Sequence, residues 1–559
     1  MNDFENQVRF VSGAVPRITS QIDLDPLSSS YGCAHLAYWR DKTSDVADIR
    51  RQEAMLPLSL FYHRSYPGST WPGSETLRQA TAALLEFWCR RQYPDGSFDE
   101  WYRGERAFAA AAFSSHAAAR TMETMRGRLP AALEEQARQT LDRTATWLCR
   151  RNDLFKTNHQ AVGAAALAFC GRLLNEPRFT TEARHKLDSI RTVQTSEGWF
   201  PEIGHMDVGY TFLTVEFAAM TMELLDDWSW LDCFRRAFDF ACQWVHPDLT
   251  IGEEYGVCHN PYLSRIAVVL MSPFSGKAAY LRRRLESESP GFKGLLPTLA
   301  DDLRLPRWAF QPLLAYDYGR RFPGPPELEE DLLPLADPGS GDRDYPQAGL
   351  TRMVIAGRPA ILAPAAGGLV RIFGPNEHVW SDWGYAVRGA RGYAASLAYR
   401  PGMKKIGQGD EIRMECPIAP VKKFMPPFWA RAALRLACST ALSSRLTRKM
   451  IDIFRKKRGT ALNQSSANLM SSSPWRLQRT LRRQNDGLTI IDVLSFDRPV
   501  LTQNIFAMSG ETFDAPKLIP VLDLAAEHRL PSRVRRLRLE RTMSLKDLPP
   551  TAIIKAAAE

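Results

Sequence analysis

Four short runs in the first half of the chain gather residues able to move protons, hold anions or stack on rings. The first is Asp95-Gly-Ser-Phe-Asp-Glu-Trp-Tyr102, containing Trp101 and followed by Glu105 and His116. The second, Thr157-Asn158-His159-Gln160, opens an alanine-rich stretch. The third, Glu197-Gly-Trp-Phe-Pro-Glu-Ile-Gly-His-Met-Asp-Val-Gly-Tyr210, brings Glu202, His205 and Asp207. The fourth, Gly252-Glu-Glu-Tyr-Gly-Val-Cys-His-Asn260, contains Tyr255 and precedes Arg265. Carboxyls, imidazoles and phenols are the usual general acids and bases. Amides and guanidinium groups bind anions, and aromatic faces suit the apolar side of a sugar ring.

The same residues have plainer readings. Thr157 or Asn158 suits a helix cap, as does Asp207 ahead of Val208. His116, His159 and Tyr210 suit a packed interior, Glu253 and Glu254 a solvated turn, and the nine cysteines buried packing. A glycoside hydrolase would pair Asp95, Asp99 or Glu100 with Glu202 or Asp207 across a cleft. A terpene-cyclase reading fails for want of a DxDD run.

The elements that must position these runs are helical. Leu133, Ala137, Leu141 and Leu148 recur at helical spacing after Pro130, and Leu77, Ala80, Leu84, Phe87 and Trp88 form a similar stripe. Helices with short connections fit stacked hairpins, as a solenoid or a closed toroid. One echo favours the toroid: Gln92-Tyr-Pro-Asp-Gly-Ser-Phe98 and Gln194-Thr-Ser-Glu-Gly-Trp-Phe200 both read Q-x-x-[DE]-G-x-F. Each ends a helix in an acidic-Gly turn. Residues 322–347, rich in Pro, Gly and acid, read as a linker. Beyond it the period shortens to that of strands, as in Val534, Leu537, Leu539 and Met543 interleaved with Arg. The expected architecture is multidomain: an extension over 1–30, an α/α toroid over 31–321, and an antiparallel β-sandwich-like domain over 348–559. That last domain carries a basic amphipathic insertion at 422–474.

Charge follows this division. The formal +10 is an average over an acidic helical half and a basic β half. Within 422–458 basic residues alternate with apolar ones, and Asp452 is the lone acid. Phe428, Trp429, Arg431, Arg435, Arg448, Lys449, Arg455 and Lys456 mark this stretch as a surface for an anionic membrane, the plainer reading being a solvated helix or disordered loop with no partner. No recognition fold accompanies the charge, so nucleic acid is not expected. The cysteines show no CxxC spacing and their number is odd, which suits reduced thiols in the cytoplasm. The start lacks the basic patch and apolar run of a signal peptide. The expected location is cytoplasmic, peripheral on the inner membrane.

The N-H pair opening a helix, the [DE]-G-x-F…G-Y run, the E-Y-G…N run and the following β-domain together resemble heparinase II/III-like proteins of the α/α-toroid polysaccharide lyase group. The resemblance implies β-elimination on an acidic, uronate-containing polysaccharide, and with the expected cytoplasmic, membrane-side location it points to exopolysaccharide or capsule production. It assigns Asn158 and His159 to the uronate carboxylate, Tyr210 to catalysis, and Tyr255 and Arg265 to support. Trp101, Glu202 and His205 would line the substrate. Metal-bearing members carry a His-x-His-x-Asp-like run, here reduced to His378-Val-Trp-Ser-Asp382. Neither metal nor cofactor is therefore expected. A carbohydrate-binding protein without catalysis is the alternative from another class.

Overall fold

The computed structural model describes residues 2–287, 301–322, 332–337, 339, 341–374, 378–390, 392–397, 400, 403, 405–407, 409–421, 427–458, 473–510, 517–545 and 551–558. Met55–His63, Phe108–Thr124, Thr157–Leu174, Val208–Leu225, Arg265–Met271 and Phe310–Arg321 form an inner ring. Each packs on the next, and the last returns to the first. These helices are apolar around most of their circumference because neighbours cover them on every side. Ala109–Ala112 and Ala117–Ala119 are all buried, and such small side chains let the inner helices approach closely. Val208–Leu225 has the length and hydropathy of a membrane span, yet it lies buried within this ring.

Glu75–Arg91, Ala131–Cys149, Pro177–Arg191, Leu231–Ala241, Gly276–Ser287 and Asp3–Thr19 form the outer layer. Pro177–Arg191 shows why: Phe179, Ala183, Leu187 and Ile190 are buried on one stripe and the remainder is mostly polar. Asp3–Thr19 corrects the expected N-terminal extension. It buries Val8, Val11, Val15 and Ile18 against Phe310–Arg321 and Gly276–Ser287, so it belongs to the toroid.

The echoed turns are two copies of one clamp. Gly96 and Gly198 adopt φ of +92° and +104°. A Cβ on Gly96 would sit 2.2 Å from the carbonyl oxygen of Arg143, and one on Gly198 2.9 Å from that of Arg236. Each turn thus lies directly on the next outer helix, a contact that needs glycine twice over. Arg143 donates to Gln92 Oε1 at 2.6 Å and Arg236 to Gln194 Oε1 at 2.5 Å. The motif's aromatic residues pack inward, Phe98 stacking on Trp88 and Phe200 meeting Phe234 at a tilt.

The second domain is antiparallel throughout its described ladders. A five-stranded meander, starting at Arg343–Tyr345 inside the expected linker, runs through Leu350–Ile355, Arg358–Ala363, Leu369–Phe373 and His378–Asp382. A second five-stranded sheet centres on Tyr385–Gly389, and a six-stranded sheet on Gly487–Leu501. Met353, Leu362 and Ile372 of the meander share a core with Met414, Leu481 and Ile490 of the large sheet. Ile361, Leu369 and Phe373 join the toroid core instead. Alternate residues of one sheet thereby glue the β-domain to the helices. Arg371 and Glu254 add a fully buried ion pair across this boundary at 2.5 Å. Glu254, a solvated turn residue by its sequence setting, is thus a structural partner.

Phe428–Ala437 and Ala441–Arg458 form a helical pair within the β-domain, as the amphipathic pattern implied.

Candidate active site

Three inner helices converge on one cluster. Thr157–Leu174 brings Asn158 and His159 in its first turn, where neither residue is the cap: Lys156 occupies the cap position. Asn158 is buried, and its Nδ2 donates to Glu202 Oε2 at 2.5 Å. Its Oδ1 is buried without a protein partner. Glu202 sits in a turn whose backbone pairs with Lys156 and His205. Burial pushes the Glu202 carboxyl up to about 8, with Lys156 and the Asn158 bond opposing and Asp207 adding to the rise. The carboxyl is therefore protonated at neutral pH and can donate as well as accept.

His159 Nδ1 lies 2.9 Å from Asp153 Oδ2, and its ring meets Phe113 edge-on at 6.1 Å. Burial draws the imidazole below its usual range, against the pull of Asp153. A neutral ring whose Nδ1–H is given to Asp153 keeps its lone pair on Nε2.

Val208–Leu225 places Tyr210. Asp207 is its cap, accepting from the Tyr210 amide at 3.0 Å through Oδ1 and from the Cys258 amide at 2.9 Å through Oδ2. Gly209 permits this closeness, since a Cβ there would sit 2.0 Å from the carbonyl oxygen of Asn260. Burial raises the Tyr210 phenol well above its ordinary value, reinforced by Cys258, Glu202 and Asp207 and opposed by Arg50. Tyr210 is thus a neutral proton donor.

Arg50 was not legible as a site residue. It lies in the buried 3-10 segment Ile49–Ala54, with its guanidinium 3.7 Å from the Phe113 ring centroid. Its charge acts on both His159 and Tyr210. Glu53 holds it at 2.7 Å and Glu100 lies 4.0 Å away. Arg307 joins Glu100 at 3.4 Å and also pairs with Asp48. Asp48, Arg50 and Glu53 are near neighbours in sequence, and Glu100 and Arg307 reach them from distant segments.

Of the expected substrate-lining residues, Glu202 is central, His205 is half-buried beside it, and Trp101 is 69% exposed on the loop that holds Glu100. Glu105 accepts from the backbone amides of Glu100 and Trp101 and so fixes that loop.

Two expected members are engaged by other partners. The Tyr255 hydroxyl meets His246 Nε2 at 2.9 Å, and His246 packs on Phe373 of the β-domain with centroids 4.8 Å apart. Among the described residues no hydrogen bond or ring contact joins Tyr255 to Asn158, His159 or Tyr210. Arg265 is buried in an ion pair with Asp3 at 3.0 Å, where it ties the first helix to the ring. Its role is structural because its charge is already neutralised away from solvent.

The carboxylates a hydrolase would pair are likewise engaged. Asp99 accepts from Tyr93 and from the Gly104 and Arg106 amides, Asp95 pairs with Arg106, and Asp207 is a cap. His116 is packed among Phe169, Phe217 and Phe310. All nine cysteines are free thiols. Among the described residues no His, Cys, Asp and Glu group is gathered that would hold a metal.

Of the expected membrane residues, Phe428 and Trp429 are 77% and 71% exposed. Arg431 and Lys449 are exposed, Arg448 is half-buried and Arg435 pairs with Asp45. The side chains of Arg455 and Lys456 lie outside the described residues.

A closed ring of helical hairpins joined to antiparallel sheets is the fold of the α/α-toroid polysaccharide lyases, and this chain has it. Residues 39–203 match the family model described as the ulvan lyase N-terminal domain. The chondroitin AC lyase of Streptomyces coelicolor A3, in complex with chondroitin sulphate, is similar with a TM-score of 0.54 at 11% identity, covering 99% of this chain and 78% of that one. A tyrosine-to-alanine variant of that enzyme gives 0.52 at 11% identity, covering 99% and 76%. No curated protein sequence matches the chain.

Proposed function

We propose that this protein cleaves a uronate-containing acidic polysaccharide by β-elimination. The observation that carries the reading is the Asn158–Glu202 bond beside the Asp153–His159 pair. An amide next to an un-ionised carboxyl is a receptor for a carboxylate, since both offer hydrogens and neither repels the anion. With the Arg50 charge acting on His159 and Tyr210 beside it, such a site draws charge from the uronate and acidifies the proton on C5. His159 Nε2 takes that proton while Asp153 stabilises the imidazolium. The C4–O bond then breaks, the C4–C5 double bond forms, and the departing oxygen receives the proton of Tyr210. Return of the proton from His159 to Tyr210 resets the site.

A place in exopolysaccharide or capsule production follows as part of the same proposal. Nine free cysteines suit a reducing compartment, where the substrate would be a polymer under synthesis. The test is to incubate purified protein with uronate polymers and follow the ultraviolet absorbance of 4,5-unsaturated ends. Absorbance that rises with wild type and not with Tyr210→Phe supports the reading. Polymer binding without unsaturated product, from every uronate polymer offered, returns the protein to the non-catalytic class.

A further inference from the structure

The helical pair Phe428–Ala437 and Ala441–Arg458 presents an apolar row that no described residue covers. On the first helix Phe428 and Leu436 lie on one face, eight residues apart, with Trp429 beside them; Phe428 and Leu436 are 77% and 76% exposed. On the second helix Leu442, Leu446 and Met450 follow at four-residue steps, and all are more than half exposed. A soluble surface rarely exposes so many large apolar side chains together. Cys438 and Ser444 are the buried members of the pair, so its inner side is seated.

The charge that residues 427–451 bring to this row has one sign, and Asp45 from the toroid pairs with Arg435. Arg431 and Arg435 flank it on the first helix, Arg445 and Lys449 on the second, and residues 427–451 contain no acid. A second copy of the chain would bring like charges together. A soluble polyanion would engage the arginines and leave Phe428, Trp429 and Leu436 in water. An anionic bilayer accepts both parts, with rings and aliphatic chains in the acyl boundary and basic groups at the headgroups.

The pair is held against the rim of the toroid. Arg435 meets Asp45 at 2.5 Å, and Arg103 reaches the carbonyl oxygen of Ser439 at 3.5 Å. Ser444 packs so closely on Gly104 that a Cβ there would lie 2.4 Å from its Oγ. Arg103 and Gly104 belong to the loop that carries Glu100 and Trp101. We infer that this helical pair docks the protein on an anionic lipid bilayer, with the rim loop of the candidate site beside the membrane. The inference is independent of the lyase reading, because it rests on surface residues that take no part in the proposed chemistry.

The test is flotation of the full chain with vesicles of phosphatidylcholine alone, or of phosphatidylcholine with phosphatidylglycerol. Wild type is expected to float with the anionic vesicles and stay down with the neutral ones. Phe428→Ser/Trp429→Ser/Leu436→Ser, with an unchanged melting temperature, is expected to weaken flotation at least about tenfold. Wild type that fails to float with anionic vesicles overturns the inference. So does equal flotation of the triple variant, which would mean that charge alone holds the protein. Retention of both proteins by a soluble uronate polymer, with neither on vesicles, would reassign the surface to polysaccharide.

Discussion

Asn158 donates its amide hydrogen to Glu202, 44 positions along the chain, and the bond links the start of one inner helix to the turn before the next. It ties a residue type that binds anions to a carboxyl that burial keeps protonated up to about 8. From this follows a dependence on pH. Turnover is expected to fall as pH rises through about 8, when Glu202 ionises and repels a uronate carboxylate. Glu202→Gln is expected to keep measurable activity and lose that alkaline limb in a pH–rate profile. A limb unchanged in the variant would assign it to another group.

The same shift acts on stability. A carboxyl whose folded value lies above its unfolded one takes up a proton on folding, so its neutral form is least costly in acid. Stability from this group is lost as pH rises from about 4.5 to about 8. Glu202→Gln should therefore melt higher than wild type near pH 9, and the two should converge near pH 5, as read by circular dichroism.

The proton-transfer groups give a second comparison. His159→Ala and Tyr210→Phe are each expected to lower kcat by roughly 10²–10⁴-fold while polymer binding persists. Asp153→Asn should cost less, about 10–10³-fold, because it disturbs the tautomer without removing the imidazole. Arg265→Leu should lower the melting temperature and leave kcat near wild type, since its partner is Asp3. A kcat loss in a well-folded Arg265 variant would restore it to the site.

The repeated clamp is open to a third measurement. Gly96→Ala places a Cβ against the Arg143 carbonyl in a left-handed conformation, and should cost about 2–4 kcal/mol. Gly127→Ala has φ of +68° with nothing within 4 Å, so it should cost only about 1 kcal/mol. Equal losses in denaturant melts would show that backbone conformation, and not the neighbouring helix, sets the penalty.

The ion pair between the domains supplies the last. Arg371→Met alone leaves Glu254 buried without its partner, a loss of roughly 3–5 kcal/mol. Arg371→Met/Glu254→Met should recover most of it. A double variant as weak as the single one would mean that packing at this boundary, not charge, was lost.

The helical periodicity, the echoed turns and the change to strands were legible because each is a local pattern. Asn158, His159, Tyr210 and Glu202 were legible because each lies at the start of an inner helix or in the turn before one. Arg50 and Arg307 were not, because what they do depends on contacts with segments far along the chain. Asp153, six residues before His159, was within local reach and went unmarked because no motif pairs the two. Tyr255 and Arg265 show the converse: both follow a motif closely, and both are turned by packing toward His246 and Asp3. Asp3–Thr19, placed in an extension by the sequence, packs on segments about three hundred residues away.

That distance has a consequence for how the protein is made. Asp3–Thr19 leaves the ribosome long before its seat, which is built from Gly276–Ser287 and Phe310–Arg321, and Asp3 waits for Arg265. The ring cannot shut until more than half of the chain has emerged. In the interval Val8, Val11 and Val15 are without cover, so this helix is where a holding chaperone has most to do.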